Sequence, residues 1–402
     1  MSSARILQAR IEEISSAIEH QKQVLRDLET SRSNVRRELN AILDPMVRLP
    51  VEISSDIFVR CLPDSPRPHS GEAPMLFLNI CHIWSDIAIS TPALWTSIHC
   101  NYSDTINLEL WLGRAKHFPL AISLHGGFSP DVAAVVEEHA PHVQALTLEY
   151  QHLKQLLAPF PSLTKMKIAN TKNQHTIPPY HCLDALRAAP ALMECEFLSI
   201  DWPPTIFYPD PLTHPYLRHL RLAEMEPRGV RSTSAILQYL TLPALETLFI
   251  SDFDFPAAEF ASFLSRSSPP LQSLYMATTH FPDFAANRWL RLVPRLADLT
   301  LNFKNYDRPE PFIVLELMAS SGQDILPNIR NLRIHSGCYH GYNYDMALRV
   351  LTARRTLHDP QMQSFALFSD YHIPKENVIV ALRELARDGM HIHIGPRTRN
   401  YI

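Results

Sequence analysis

Twenty histidines and six cysteines are the side chains of this sequence best suited to metal or thiol chemistry. His391 and His393 stand two apart, a spacing that turns both rings to one face of a strand. Cys338 and His340 have the same spacing. Two ligands fall short of the four that a closed zinc site takes, so no metal and no cofactor are expected. Cys61, Cys81, Cys100, Cys182, Cys195 and Cys338 are scattered without a CxxC pair. A chain of 402 residues needs no disulfides, which predicts reduced, mostly buried thiols. The sequence contains no GxSxG, HExxH, GxxxxGK[ST] or GxGxxG. Its 10 glycines argue against phosphate-cradling loops. No nucleophile, base and oxyanion donor can be assembled from motifs, and a protein without enzymatic activity is expected.

The polymers can be weighed in the same way. Charged residues make up 19 % and the net charge is −4, which leaves no basic excess for nucleic acid. No apolar run reaches membrane-spanning length. The start, MSSARILQARIEE, lacks the charged, apolar and small-residue segments of a signal peptide. An intracellular location, cytoplasmic or nuclear, is expected, with neither nucleic acid nor membrane as partner. What remains is protein binding, and the elements that would position it.

The 33 prolines are periodic. Proline, any residue, then apolar residues at positions 1, 4 and 6 recur as PHVQALTL at Pro141, PSLTKMKI at Pro161 and PALMECEF at Pro190. The motif continues as PYLRHLRL at Pro215, PALETLFI at Pro243, PPLQSLYM at Pro269, PRLADLTL at Pro294, PNIRNLRI at Pro327 and PQMQSFAL at Pro360. Positions 4 and 6 share one side of a strand. Proline cannot continue a helix and pushes its neighbour toward extended backbone, so it marks the passage from helix to strand. Helical stretches lie between the motifs, at Val230–Leu240, Ala257–Arg266, Phe284–Val293, Phe312–Ser320, Met346–Leu357 and Lys375–Arg387. A closing strand is expected at Met390–Ile394.

A strand and a helix every 20 to 33 residues form a leucine-rich-repeat-like solenoid, with parallel strands on the concave face and helices on the convex face. The family's Asn or Cys after the last leucine is missing. Thr171, Met225, Phe253 and Lys304 stand there, so an irregular array is expected.

Two regions precede the array, giving residues 1–44, 45–100 and 101–402. In the first, a heptad seam runs through Leu7, Ile11, Ile14, Ile18, Gln21, Leu25, Leu28, Arg32, Val35, Leu39 and Ile42. It predicts a coiled-coil-like helix whose seam packs either on a second chain, by self-association through residues 7–42, or on the chain's own later domains. In the second, Pro50 suits the first turn of a helix that carries Ile53, Ile57, Phe58 and Cys61 as an apolar stripe. A second helix is expected from Phe77 to Ala88, and a third short one opens at Pro92. Three short helices make a weak core alone.

This second region resembles the F-box. The resemblance rests on LPVEISSDIFVRCLP from Leu49 and LNICHIWSDIAISTPALWTSI from Leu78, and within them on Leu49, Pro50, Ile53, Ile57, Phe58, Leu78, Cys81, Trp84, Leu94 and Trp95. With the preceding ILDPMVRLP, the combination is similar to F-box proteins of mushroom-forming fungi. The resemblance implies that these ten residues bind the Skp-type adaptor and, through it, a cullin. The chain would then be the substrate receptor of a Skp–cullin–F-box ubiquitin ligase. The alternative is a coiled-coil and repeat scaffold without a ligase.

A helix from Asp104 to Phe118 and a strand through Leu120, Ile122 and Leu124 lead into the array. On its strands, positions 3, 5 and 7 should project outward. Lys165 and Lys167, Glu194 and Glu196, then His219 and Arg221 predict a charge ladder that satisfies itself. Later repeats bring Phe249, Tyr275, Arg333, His335 and Phe368 to this face, residue types enriched where proteins bind. These five are the expected contacts for a protein target.

Overall fold

The computed structural model describes residues 2–43, 45–101, 105–126, 129–149, 156, 158–169, 177–198, 200, 210–223, 233–252, 257–278, 289–303, 312–320, 325–336, 344–355, 362–369 and 373–402. The chain divides into two compact units, Met1–Cys100 with Asp104–Ala121, and Asn101–Ser103 with Ile122–Ile402. Among the described residues no helix is long and apolar enough to cross a membrane.

The first unit is mainly helical. One helix runs without a Pro or Gly from Ser2 to Leu43, rich in the strong helix formers Glu, Gln, Lys and Arg. Shorter helices follow at Val51–Arg60, His82–Ser90 and Thr105–Ala115, with 3₁₀ turns at Met75–Asn79 and Pro92–Trp95. A strand, β1, spans Ser97–Asn101. The expected continuous helix from Phe77 to Ala88 is broken, because Cys81 takes an extended conformation (φ −153°, ψ 171°). The break has a packing reason. In an unbroken helix residues seven apart are displaced by about 10 Å along the axis. Here the rings of Phe77 and Trp84 come within 5.9 Å, and both stand against Phe58 at 4.2 and 4.9 Å. A second aromatic pair seals the other side. Trp95 meets Trp111 edge to face at 5.0 Å and donates its indole N–H to the carbonyl of Ala88 at 2.8 Å.

The second unit is an α/β stack on one large parallel sheet. Its strands are β2 (Leu120–His125), β3 (Val143–Glu149), β4 (Lys165–Ala169) and β5 (Glu194–Leu198). They continue as β7 (His219–Ala223), β9 (Thr247–Ser251), β10 (Ser273–Thr278) and β11 (Asp298–Phe303). The series closes with β12 (Asn331–Ser336), β13 (Ser364–Phe368) and β14 (His391–Gly395). Two-residue strands β6 (Leu212–Thr213) and β8 (Leu240–Thr241) pair with each other aside from the sheet. The strands lie side by side in chain order, and every pairing from β3 to β14 is parallel. This is a solenoid-like arrangement, in which each unit rests on the one before it.

All nine proline motifs supply a strand of this sheet. Their residues at positions 1, 4 and 6 are each at most 5 % exposed, so the motif is the code of the core. Proline acts through a turn. The position-1 amides of Leu163, Leu192, Leu245, Leu296 and Ile329 donate to the carbonyl three residues back, at 3.1–3.3 Å. Proline is therefore the second residue of a β-turn, where its fixed φ fits. The position-2 carbonyl of one repeat then accepts the amides of positions 2 and 3 of the next. Thr164, Met193, Arg218, Glu246, Gln272, Ala297 and Arg330 all do so. This stitch sets the register that the strands keep.

Helices cover the buried side of the sheet. Pro179–Ala188 presents Cys182, Leu183 and Leu186; Ala257–Ser267 presents Phe260, Phe263 and Leu264; Glu376–Arg387 presents Val378, Leu382 and Leu385. Further helices span Phe312–Ser320 and Tyr344–Arg355. The stretch expected as a helix from Val230 is a 3₁₀ helix over Thr233–Tyr239, and residues 230–232 lie outside the described residues. So do Asp104, residues 284–288, Leu357, and the positions Thr171, Met225, Phe253 and Lys304.

Two arginines tie neighbouring repeats together. Arg266 donates to the carbonyls of Leu237, Gln238 and Leu240 at 2.7–3.1 Å. Arg354, 5 % exposed, donates to the carbonyls of Ile325 and Leu326. Leu326 sits in the left-handed region (φ 50°), which costs a non-glycine residue energy. The last strand is capped by the chain end. Asn400 accepts from the amide of Ile394 and donates to the carbonyl of Ile392, both at 2.9 Å, so the open edge of β14 is covered. Gly395 (φ 131°) makes this return, and a Cβ there would lie 2.6 Å from the carbonyl oxygen of Arg399.

Candidate functional site

The ten residues that carry the resemblance fall into two groups in the first unit. Phe58, Cys81, Leu94 and Trp95 are buried and form its core, with Leu78 and Trp84 half-buried beside them. Leu49, Pro50, Ile53 and Ile57 are exposed. The apolar stripe read from the sequence is thus split by the turn of the helix. Ile53 and Ile57 lie four apart on one face, and Phe58, one residue on, points inward. Val51 (51 % exposed) and Leu76 (38 %) extend the open apolar set, and both escaped the sequence reading. Val51 could have been found from its place beside Pro50 at the start of the helix. Ser55 and Thr91 hold the helix to the module by a hydroxyl–hydroxyl bond of 2.8 Å, and Thr91 donates on to the carbonyl of Ile87 at 2.6 Å.

On the sheet of the second unit, positions 3 and 5 of the repeats line up in two rows. The position-5 row runs Thr147, Lys167, Glu196, Arg221, Phe249, Tyr275, Thr300, Arg333, each opposite the next. Its first half is a charge ladder. Glu196 accepts from Lys167 at 3.0 Å and from Arg221 at 2.8 Å, and Lys165 reaches Glu194 at 3.0 Å in the row beside it. These pairs line an open depression of about 480 Å³.

The row then turns aromatic. The Arg221 guanidinium lies over Phe249, 3.8 Å from its centroid, and Phe249 stacks on Tyr275 at 4.1 Å with the rings 2° from parallel. Asn302 donates to the Tyr275 hydroxyl at 3.2 Å. The Arg333 side chain is exposed and makes no hydrogen bond or ion pair among the described residues. Two positions further along the strands, His335 stacks on Phe368 at 4.4 Å, and Phe368 meets His393 at 4.7 Å.

The five expected target contacts therefore form two stacked clusters, with Arg333 two residues before His335 on the same strand, β12. Arg221, Asn302 and His393 complete the clusters. The sequence reading missed these roles, although the motif spacing already put Arg221 beside Phe249. Position 7 differs from expectation in the middle repeats, where Ala223, Ser251 and Ala277 are buried. Their short side chains do not clear the neighbouring strands.

Burial holds the His335 ring below its ordinary pKa, with smaller effects from Arg397 and Arg333, so the ring is neutral at pH 7. Cys182 and Cys195 are buried, and burial pushes both thiols well above the usual range, which makes them poor nucleophiles. His391 and His393 share a strand face, as their spacing predicts, and His393 bonds to the carbonyl of Pro396 at 3.0 Å. Cys338 and His340 lie outside the described residues. Among the described residues no three His, Cys, Asp or Glu side chains converge as metal ligands do.

No protein-family model matches the sequence, and comparison with the curated proteins finds no match.

Proposed function

We propose that the chain is the substrate-recognition subunit of a Skp–cullin–F-box ubiquitin ligase. The helix Val51–Arg60 and its approach dock the Skp-type adaptor, and the leucine-rich-repeat-like stack holds a protein target on its strand face. One observation carries the reading. Leu49, Ile53 and Ile57 are exposed beside a module whose own core is already closed by Phe58, Phe77, Leu94 and Trp95. Apolar side chains gain about 1.5–3 kcal/mol each on full burial, so this strip is a surface for another protein.

On the sheet, the target contacts are Phe249, Tyr275, Arg333, His335 and Phe368. Stacked aromatics lose little side-chain entropy on binding, and the Arg333 side chain offers a cation with no ion pair among the described residues. The chain holds its target near a ubiquitin-charged enzyme, and the bond chemistry belongs to other subunits.

The test is capture of a purified Skp-type adaptor by the full chain. The parent is expected to bind, and Leu49→Ala with Pro50→Ala to bind weakly. Ile53→Asp is expected to lose binding while its thermal unfolding stays that of the parent. No capture by the parent, or equal capture by Ile53→Asp, overturns the reading. Capture of adaptor without cullin in a cell extract favours the scaffold instead.

A further inference from the structure

The helix Ser2–Leu43 leaves its whole apolar seam open. Leu7, Ile11, Ile14, Ile18, Leu25, Leu28, Val35, Leu39 and Ile42 are between 48 and 77 % exposed. Most helical stability in proteins comes from burying such a face, so a helix of 42 residues with none of it buried lacks its partner. A strict alternation of four and three is the seam of a coiled coil and fits another helix.

The seam also states which helix. Its spacing puts Ile11, Ile18, Leu25, Arg32 and Leu39 at a positions, and Leu7, Ile14, Gln21, Leu28, Val35 and Ile42 at d. From Ile11 to Ile42 the two polar breaks are palindromic: each is the fourth position from its own end. We infer that this helix pairs with the same helix of a second copy of the chain, in antiparallel orientation. Core layers of an antiparallel pair join an a residue to a d residue. Ile11 then meets Ile42, Ile14 meets Leu39, Ile18 meets Val35, and Leu25 meets Leu28. Gln21 meets Arg32, twice by symmetry, so every polar residue of the seam faces a polar residue.

The alternatives mismatch. Sliding the antiparallel pair by one heptad sets Arg32 on Ile14 and Gln21 on Leu25, or in the other direction on Leu28 and Leu39. A parallel pair in register sets Arg32 on Arg32, two like charges in the seam, which is costly.

The flanking charges agree. In the antiparallel pair the e positions bring Lys22 of one copy beside Glu29 of the other, again twice. Within its own helix Lys22 makes an exposed bond to Glu19 at 2.8 Å. In a parallel pair the flanking contacts would be Arg10–Ser15, Ala17–Lys22, Val24–Glu29, Ser31–Arg36 and Glu38–Leu43. None of these joins opposite charges, although such contacts ordinarily set orientation.

The experiment is sedimentation equilibrium of the full chain, of Leu25→Asp and of two variants at Gln21, in low salt. The chain is expected to be a dimer, and Leu25→Asp a monomer with the parent's near-ultraviolet circular dichroism, whose aromatic side chains all lie outside this helix. Gln21→Glu places a carboxylate against Arg32 in both symmetric layers and should tighten the dimer roughly tenfold. Gln21→Lys should weaken it by a similar factor, roughly tenfold. In a parallel pair residue 21 meets itself, so both variants would weaken the dimer alike, and that result overturns the orientation. A monomeric parent at about 100 µM overturns the self-pairing itself.

Discussion

In the strand stack, Leu248 and Ile250 are sealed beneath the sheet, whereas on the helix Val51–Arg60 the side chains of Ile53 and Ile57 are 50 and 37 % exposed. Both pairs are branched aliphatic residues at regular spacing. The difference lies in what each region can bury by itself. Every repeat gains a second wall from the next, so the motif positions are all covered. The short helices of the first unit close around Phe58, Phe77 and Trp95 and have nothing left to cover their outer face. Apolar residues hold the fold together in one region and stand exposed in the other.

The contrast breaks most visibly under matched truncations. Leu248→Ala is expected to cost about 3 kcal/mol, read as a lower urea midpoint, because it opens a cavity in a packed core. Ile53→Ala should change stability by no more than about 0.5 kcal/mol while weakening adaptor binding. Equal losses would mean that the helix face is structural.

A second variant sharpens the account of the stack. Arg354→Ala takes the guanidinium donor from two buried carbonyls, Ile325 and the left-handed Leu326, and the Leu326 carbonyl keeps the turn amide of Ile329. A loss of about 2 kcal/mol is expected in the same urea titration, and Arg354→Lys, with a single ammonium, should recover part of it.

The smallest effect is a pH dependence. The folded pKa of His335 lies below its unfolded value of about 6.5. Its contribution to stability is complete above that value. As pH falls through it toward the lowered folded value, the unfolded chain takes up the proton first and stability declines. His335→Gln should flatten the slope of stability between about pH 7 and 5, measured by thermal unfolding across that range. An unchanged slope would mean that the Phe368 stack does not hold the ring.

How far these regions were legible in the sequence follows from how local their causes are. The proline motif names a turn, a strand and three core positions within eight residues, so the parallel stack could be read directly. The role of proline inside that turn was read only in part, because the hydrogen bond that closes it belongs to the backbone. The helix expected across Phe77–Ala88 has good local periodicity. It breaks at Cys81 because Phe77 and Trp84 both reach Phe58, a contact no local pattern records. Arg266, Arg354 and Asn400 serve carbonyls or edges more than five residues away, and nothing in their own segments announces that. An arginine inside an otherwise apolar helix face, as Arg354 is in ALRVLTARR, is the nearest thing to a signal. On the sheet face, position 5 could be assigned from the motif. That Arg221 is shared between Glu196 and Phe249 needed the strand order.

The central claim is that the helix Val51–Arg60 offers its open face to an adaptor. Amide hydrogen exchange of the full chain, with and without a purified Skp-type adaptor, tests it most directly. The predicted result is slowed exchange confined to the stretch from Leu49 through Arg60 and the adjoining Met75–Asn79 turn. Unchanged exchange there at saturating adaptor, or protection appearing only on the strand face around Tyr275, would contradict it.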